Sequence, residues 1–238
     1  MIQEINSRRS FFRSACCGSL GLAASIASPQ VFAADAPKTS LTADQALATL
    51  KEGNAKFLTD SPLRAVQGRA RRLEIARGQT PFAVLVSCSD SRVPPEVLFG
   101  RGLGELFIVR NAGNTVDTVA LGSIEYAIAV LGVPLVVVLG HERCGAVDAA
   151  LSVVDKNTIF PGSLNQMIEP ILPAALMARS SGAKGEALLD AAVRENIRRV
   201  VLRIKNSGPV LMNPIKTGEV KVVGARYDLD DGDVEFFA

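Results

Sequence analysis

The strongest hydrophobic segments of this chain are short continuous runs, without the polar alternation of a half-exposed strand. One run occupies residues 82–87, directly after Pro81, and another occupies residues 134–140 with the sequence PLVVVLG. Continuous runs of this length favour strands that are buried on both faces, as in a parallel sheet. Further strands are predicted at residues 105–110, 220–225 and 234–237, the last two on either side of a polar turn at residues 230–232.

Between these runs, apolar residues recur at helical spacing. In residues 43–58, Ala46, Leu47, Leu50 and Phe57 fall on one face of an amphipathic helix. Strands that alternate with helices predict an α/β fold, in which helices flank a mostly parallel sheet. We expect four parallel strands and one antiparallel edge strand. The other predicted helices occupy residues 68–77, 116–131, a short segment after Gly145, residues 164–177 and residues 187–205.

The first 33 residues have the features of an export leader. The adjacent pair Arg8 and Arg9 is followed by an uncharged stretch of small and apolar residues at 15–27. This stretch is shorter than the roughly 20 apolar residues that span a bilayer, and small residues around Ala33 suit cleavage. We therefore predict a cleaved twin-arginine signal peptide at residues 1–33, export by the twin-arginine translocase and a periplasmic location.

The remaining residues, 34–238, are predicted to form a single domain with an N-terminal helical arm. A chain of roughly 200 residues is long enough for one substantial core. The whole chain has a net charge of +2, which the basic leader accounts for, so the mature part is close to neutral. This excludes the basic footprint of a nucleic-acid-binding protein. A second long apolar stretch is absent from the sequence, so no membrane anchor is expected in the mature form.

Side chains that bind metals are concentrated in two short segments. The chain has one histidine and four cysteines. Cys16 and Cys17 fall in the predicted leader, ahead of most of its apolar stretch, which disfavours a lipoprotein. The mature part keeps Cys88 in the pattern C-x-D-x-R, and His141 with Cys144 in the pattern H-x-x-C. Thiolates and imidazole are zinc ligands, so the pattern favours a mononuclear zinc protein. A disulfide between Cys88 and Cys144 after export is the alternative.

Both segments directly follow predicted strands. Cys88 comes after the run at 82–87, and His141 comes after the run at 134–140. In open α/β sheets, ligands bind beyond the carboxyl ends of the strands. If these two strands are neighbours, Cys88, His141 and Cys144 converge at one edge of the sheet.

The two patterns together, at this separation, resemble the β-class carbonic anhydrases over essentially the whole mature chain. The combination is highly specific, and the resemblance extends to SDSRVP at 89–94, ELFIVRNAGN at 105–114, SIEY at 123–126 and GARY at 224–227. It implies the fold of that class and one zinc ion per chain. The implied zinc ligands are Cys88, His141 and Cys144, and Asp90 is implied as either a fourth metal ligand or the partner of Arg92.

The resemblance also implies catalytic and substrate-binding residues. Hydroxide formed from a zinc-bound water attacks CO2, and Asp90, held by Arg92, accepts the hydroxide proton; these two are the predicted catalytic residues. The backbone N–H of Gly145, at the head of a helix, is suited to stabilise developing negative charge. Phe107, Ala112 and Tyr126 are implied as an apolar pocket, although such residues are equally common in ordinary cores. The predicted substrate-binding residues are Gln79, Phe107, Ala112, Tyr126 and Gly145.

The expected function is reversible hydration of CO2 to bicarbonate and a proton, a lyase reaction, by a periplasmic homodimer or homotetramer. The helix at 43–58 is predicted to be an arm that reaches a partner subunit. One alternative is hydrolysis of a CO2 analogue, CS2 or COS, at the same zinc site. Another is a non-catalytic zinc protein or a redox protein that uses Cys88 and Cys144. The pair of Asp90 and Arg92 argues against simple zinc storage, which does not need it.

Overall fold

Five strands form one sheet in the computed structural model, which describes residues 38–61 and 67–237 of the chain. The order across the sheet is β2, β1, β3, β4 and β5; the first four strands are parallel and β5 is antiparallel to β4. The predicted sheet of four parallel strands and one antiparallel edge strand is therefore confirmed. The strands are β1 (Ala83–Ser87), β2 (Leu106–Arg110), β3 (Leu135–His141), β4 (Lys221–Tyr227) and β5 (Val234–Phe237).

Helices account for most of the remaining described chain. They are α1 (Ala43–Leu58), α2 (Arg69–Ile75), α3 (Pro95–Leu98), α4 (Thr118–Ala129), α5 (Gly145–Lys156), α6 (Ser163–Ile168), α7 (Leu172–Ser180), α8 (Gly185–Lys205) and α9 (Pro209–Thr217). Two 3₁₀ turns lie at Ala112–Asn114 and Glu169–Ile171. Among the described helices, none is both long and apolar enough to cross a membrane.

Most helices follow the predicted pattern, and the differences have local causes. Helix α1 has the predicted bounds, and a capping box between Thr42 and Gln45 fixes its start. The predicted helix at 164–177 is divided into α6, a 3₁₀ turn and α7, because Pro170 and Pro173 each lack a backbone donor. Helices α3 and α9 were not predicted: α3 is a single turn, too short to show a period, and α9 contains two prolines.

Helices cover both faces of the sheet, which explains the continuous apolar runs. On one face, Val84 and Val86 of β1 lie in an apolar cluster with residues of α4, α5 and α8. On the other face, Ala83 and Leu85 lie in a second cluster with residues of α1 and α3. Every residue of β1 and β3 is buried. These two strands therefore form the rigid centre of the fold.

Helix α1 packs against the sheet of its own chain. Ala46 and Leu50 are fully buried in the second apolar cluster. Asn54, also buried, donates to the carbonyl of Gly232 at 3.0 Å and accepts from the N–H of Val234 at 2.9 Å. The apolar face of α1 is thus occupied within the chain. Its predicted role as an arm stays a prediction, and it would use the opposite, exposed face.

The strand order creates a crevice at the carboxyl ends of β1 and β3. The chain leaves β1 for β2 on one side, and then returns to place β3 on the other side of β1. Adjacent strands whose connections run in opposite directions leave such a crevice, where open α/β sheets bind ligands. Cys88 follows β1 directly and His141 is the last residue of β3. The predicted neighbour relation of these strands is confirmed.

The predicted signal peptide at residues 1–33 lies outside the described residues, and so do Cys16 and Cys17.

Candidate metal centre and its surroundings

Cys88, His141 and Cys144 meet at the carboxyl ends of β1 and β3. Their ligand atoms all lie within 4.8 Å of one another, and all three side chains are buried. Cys144 is the N-cap residue of α5, so the helix start fixes its position relative to His141. The two sulfur atoms are 4.0 Å apart and the thiols are free, whereas a disulfide bond is about 2.05 Å long. The predicted convergence of these three side chains is confirmed.

The imidazole of His141 has one satisfied nitrogen and one unsatisfied nitrogen. Its Nδ1 lies 2.8 Å from the carbonyl oxygen of Glu142. Since a carbonyl only accepts, Nδ1 carries the proton and Nε2 keeps a free lone pair. Nε2 is buried and has no hydrogen-bond partner among the described residues. A buried, unpartnered nitrogen beside two thiols fits a metal ion, because buried polar atoms are otherwise almost always paired.

The two thiols differ in how readily they lose a proton. The hydrogen bond from Cys144 lowers the pKa of Cys88, with smaller contributions from His141 and from nearby backbone N–H groups, although burial opposes the shift. The same hydrogen bond, together with burial, raises the pKa of Cys144. The protein thus stabilises a thiolate at Cys88, and a thiolate is the form that binds zinc.

Gly113 supports the Cys88 sulfur from the neighbouring 3₁₀ turn. Its N–H donates to Cys88 Sγ at 3.3 Å, and its carbonyl accepts from the buried side chain of Asn196 at 2.8 Å. Its φ of +70° lies in the left-handed region, and a Cβ there would come within 2.6 Å of Ile171 Cδ1. Glycine is therefore required at this position. The role of Asn196 was not predicted. Its place among the apolar positions of α8 does indicate a buried asparagine that needs a hydrogen-bond partner.

Asp90 is paired with Arg92 in this structure. Arg92 donates from Nε to Oδ1 at 2.9 Å, from Nη2 to Oδ2 at 2.8 Å, and from its backbone N–H to Oδ1 at 3.0 Å. These hydrogen bonds hold the pKa of Asp90 well below its ordinary value. Asp90 Oδ2 lies 3.8 Å from His141 Nε2, so the carboxylate faces the metal site while it remains bound to Arg92.

Arg110 fixes the loop that carries Cys88 and Asp90. From the end of β2, its Nε donates to the carbonyl of Cys88 at 2.9 Å and its Nη2 donates to the carbonyl of Asp90 at 2.7 Å. A guanidinium can make both bonds at once because its donors form a rigid planar fork. Arg110 lies in the segment that carries the family resemblance, but the sequence did not predict this bracing role.

The predicted substrate-binding residues are only partly brought together. The rings of Phe107 and Tyr126 contact each other with centroids 6.4 Å apart, and Tyr126 is 48% exposed. Ala112 begins the 3₁₀ turn that contains Gly113, and Gly145 opens α5 with free space where a Cβ would lie. Gln79 is exposed between α2 and β1, and within the described residues it makes no hydrogen bond to the metal site.

Fold and site together define an α/β protein with a buried Cys-His-Cys metal centre at the switch point of its sheet. The family model for carbonic anhydrase matches residues 83–234. A carbonic anhydrase from Mycolicibacterium smegmatis is 40% identical over 186 residues, which are 78% of this chain and 89% of the relative.

Solved structures give the same result and identify the class. The chain is similar to the β-carbonic anhydrase CcaA, with a TM-score of 0.64 and 26% identity over 81% of this chain and 95% of that chain. It is equally similar to a tetrameric β-carbonic anhydrase from Sordaria macrospora, with a TM-score of 0.64 and 25% identity over 70% of this chain and 85% of that chain. The chain belongs to the carbonic anhydrase family, in its β class, whose cofactor is zinc.

Proposed function

We propose that this enzyme catalyses the reversible hydration of CO2 to bicarbonate and a proton, at a zinc ion held by Cys88, His141 and Cys144. The observation that carries the proposal is the buried Cys-His-Cys cluster with an ionised carboxylate facing it. Zinc bound there supplies Lewis-acid activation of a water molecule. Cys88, His141 and Cys144 would hold the ion with three protein ligands, the number found in catalytic zinc sites, so a water molecule could bind as well.

Asp90 acts as a fixed hydrogen-bond acceptor in this proposal. Because Arg92 holds its pKa well below the ordinary value, the carboxylate stays ionised throughout the neutral range. An ionised oxygen that is 3.8 Å from His141 Nε2 is placed to accept a hydrogen bond from a water molecule in the metal site. The pairing with Arg92 also fixes the orientation of that oxygen. A water molecule that donates a hydrogen bond to it would therefore keep a lone pair directed toward the substrate.

Two groups of the predicted substrate-binding residues suit substrate and product respectively. CO2 has no charge and little polarity, so the adjacent rings of Phe107 and Tyr126 offer it a favourable surface. Bicarbonate is an anion, and the N–H of Gly145 lies at the positive end of the twelve-residue helix α5. Gln79 is proposed to donate a hydrogen bond to the substrate oxygen, as the resemblance implies.

We propose that the enzyme acts in the periplasm after export by the twin-arginine translocase. The adjacent Arg8 and Arg9 and the short uncharged stretch after them support this location. The variant with both Arg8→Lys and Arg9→Lys should accumulate as precursor in the cytoplasm of an expressing bacterium, because the arginine pair is the feature this route recognises. Fractionation followed by immunoblotting measures the effect. Arg13→Lys is the matched control, and periplasmic yield equal to wild type in the double variant would rule out this route.

We propose that the enzyme is a homodimer or homotetramer. A similar solved structure is described as tetrameric, and α4 exposes two large apolar side chains, Val119 at 78% and Tyr126 at 48%. Residues seven apart lie on the same helix face, so both side chains are exposed on one face of α4.

The assembly is tested by light scattering at micromolar concentration. Wild type should have the mass of a dimer or a larger oligomer, and Val119→Glu should shift the mass toward the monomer because a charge is costly in an apolar interface. Ile159→Glu is the control, since Ile159 is 87% exposed on another surface. A wild-type protein that is an active monomer would refute the proposal.

A further inference from the structure

Arg143 occupies an unusual backbone conformation between two metal ligands. It lies between His141 and Cys144, and its φ of +50° is in the left-handed region, although it is not glycine. Residues other than glycine are uncommon there and need support from their surroundings. That support is visible: Arg143 Nη1 donates to Asp230 Oδ2 at 3.0 Å and Nη2 donates to Asp230 Oδ1 at 2.6 Å. A bidentate ion pair therefore ties the metal loop to the turn between β4 and β5.

The conformation of Arg143 sets the direction of the carbonyl that orients His141. This carbonyl belongs to the peptide between Glu142 and Arg143, whose plane is set by ψ of Glu142 and φ of Arg143. Its oxygen accepts from His141 Nδ1 at 2.8 Å. The other peptide group of Glu142 is already fixed, since its N–H donates to the carbonyl of Tyr227 at 3.0 Å. With the loop held on both sides of this peptide, ψ of Glu142 and φ of Arg143 can only change together, so the left-handed φ of Arg143 goes with a carbonyl that points at the imidazole.

The side chain of Glu142 adds to the same support. Its carboxylate lies 3.3 Å from Arg143 Nη2 and 3.4 Å from Arg226 Nη2, and it accepts from the N–H of Leu229 at 3.4 Å. Glu142 and Asp230 thus hold the Arg143 guanidinium from two sides. The guanidinium lies on the protein surface, and 40% of the side chain is exposed.

We propose that Arg143, through its ion pair with Asp230, is a positioning residue for the zinc ligand His141. The ion pair holds Arg143 in the left-handed conformation, which keeps the Glu142 carbonyl on Nδ1 and leaves the Nε2 lone pair free for the metal. Partners that orient a ligating histidine typically change metal affinity about 10- to 100-fold when they are removed. This inference rests on the proposed zinc site and assigns no direct contact with the metal or the substrate to Arg143.

An ordinary surface ion pair would behave differently. Asp230 is 73% exposed, and most exposed ion pairs contribute little to stability. If the pair had no positioning role, its removal would change neither zinc affinity nor the state of the imidazole. The distinction is measurable because His141 is the only histidine of the chain, so its ring nitrogens give an unambiguous ¹⁵N signal.

The test measures zinc affinity by chelator competition and the His141 ring by ¹⁵N NMR, on the full chain without a histidine tag. Arg143→Ala and Asp230→Asn should each weaken zinc binding about 10- to 100-fold and increase proton exchange at Nδ1. Arg143→Gly should recover most of the loss, because glycine adopts positive φ without an ion pair. Arg179→Ala is the control, since it removes an exposed ion pair with Asp155 in another part of the molecule.

Two outcomes would overturn the inference. One is zinc affinity of Arg143→Ala within twofold of wild type, with an unchanged Nδ1 signal. The other is an Arg143→Gly variant that binds zinc no better than Arg143→Ala, which would show that the backbone conformation is irrelevant. Failure of the proposed function is distinguishable, because it is measured on wild type: either wild type binds no zinc, or zinc-loaded wild type does not hydrate CO2.

Discussion

Cys88→Ser, His141→Ala and Cys144→Ser are each expected to abolish stoichiometric zinc binding and CO2 hydration. The three ligand atoms lie within 4.8 Å of one another in a buried site, so each is needed to close it. A serine hydroxyl or an alanine methyl group replaces none of them, because zinc in such sites needs thiolate or imidazole. Metal content by mass spectrometry, taken with circular dichroism to verify folding, measures the loss.

Ser89→Ala is the matched control for the ligand variants. Ser89 is exposed and adjacent to Cys88, so its substitution alters the same loop without removing a ligand. The control should keep one zinc ion per chain. Full zinc content in any one of the three ligand variants would show that the assigned ligand set is wrong.

Asp90→Asn is expected to keep zinc and to lose at least about 100-fold in the rate of CO2 hydration. The amide is neutral and offers one acceptor oxygen, whereas the carboxylate offers two, both of which are bonded to Arg92 in this structure. The substitution therefore removes the charge and releases the oxygen that faces the metal site. Stopped-flow rates and metal content, measured on the same samples, separate a catalytic defect from loss of zinc.

The pH dependence of the wild-type rate is a second criterion for the role of Asp90. Arg92 lowers the pKa of Asp90, so the stabilisation from this pair is present above the ordinary carboxyl pKa and disappears only as the pH falls through the lowered value. Any change of wild-type rate near neutral pH therefore does not come from titration of Asp90. Asp148→Asn, at an exposed position of α5, is the control. Wild-type activity in Asp90→Asn would remove Asp90 from the mechanism.

The strands and the metal cluster could be predicted because their causes are local. The runs at 82–87 and 134–140 are apolar throughout, since β1 and β3 are covered on both faces. Cys88 and His141 follow these runs directly, and parallel neighbouring strands bring their carboxyl ends together. For these elements, the chemistry of the residues and their position along the chain were sufficient.

The supporting contacts could not be predicted because they join distant parts of the chain. The N–H of Gly113, which follows β2 in the chain, reaches Cys88 at the end of β1, and Asn196 reaches Gly113 from α8. Arg143 pairs with Asp230, 87 positions further along the chain. None of these partners is implied by spacing or by hydrophobic pattern, since each depends on how the loops close over the sheet. The unusual φ of Arg143 is likewise invisible in the sequence, where the residue is an ordinary polar position.

Whether this enzyme hydrates CO2 is measured by its initial rate in stopped flow, with the zinc-loaded protein. The same preparation is assayed for sulfide release from CS2 and COS, and the zinc-free His141→Ala variant gives the background. We expect CO2 hydration far above that background, and a preference for CO2 over both analogues. A zinc-loaded wild type that hydrates CO2 no faster than His141→Ala would contradict the proposed function, and rapid release of sulfide in the same sample would identify a hydrolase of CO2 analogues in its place.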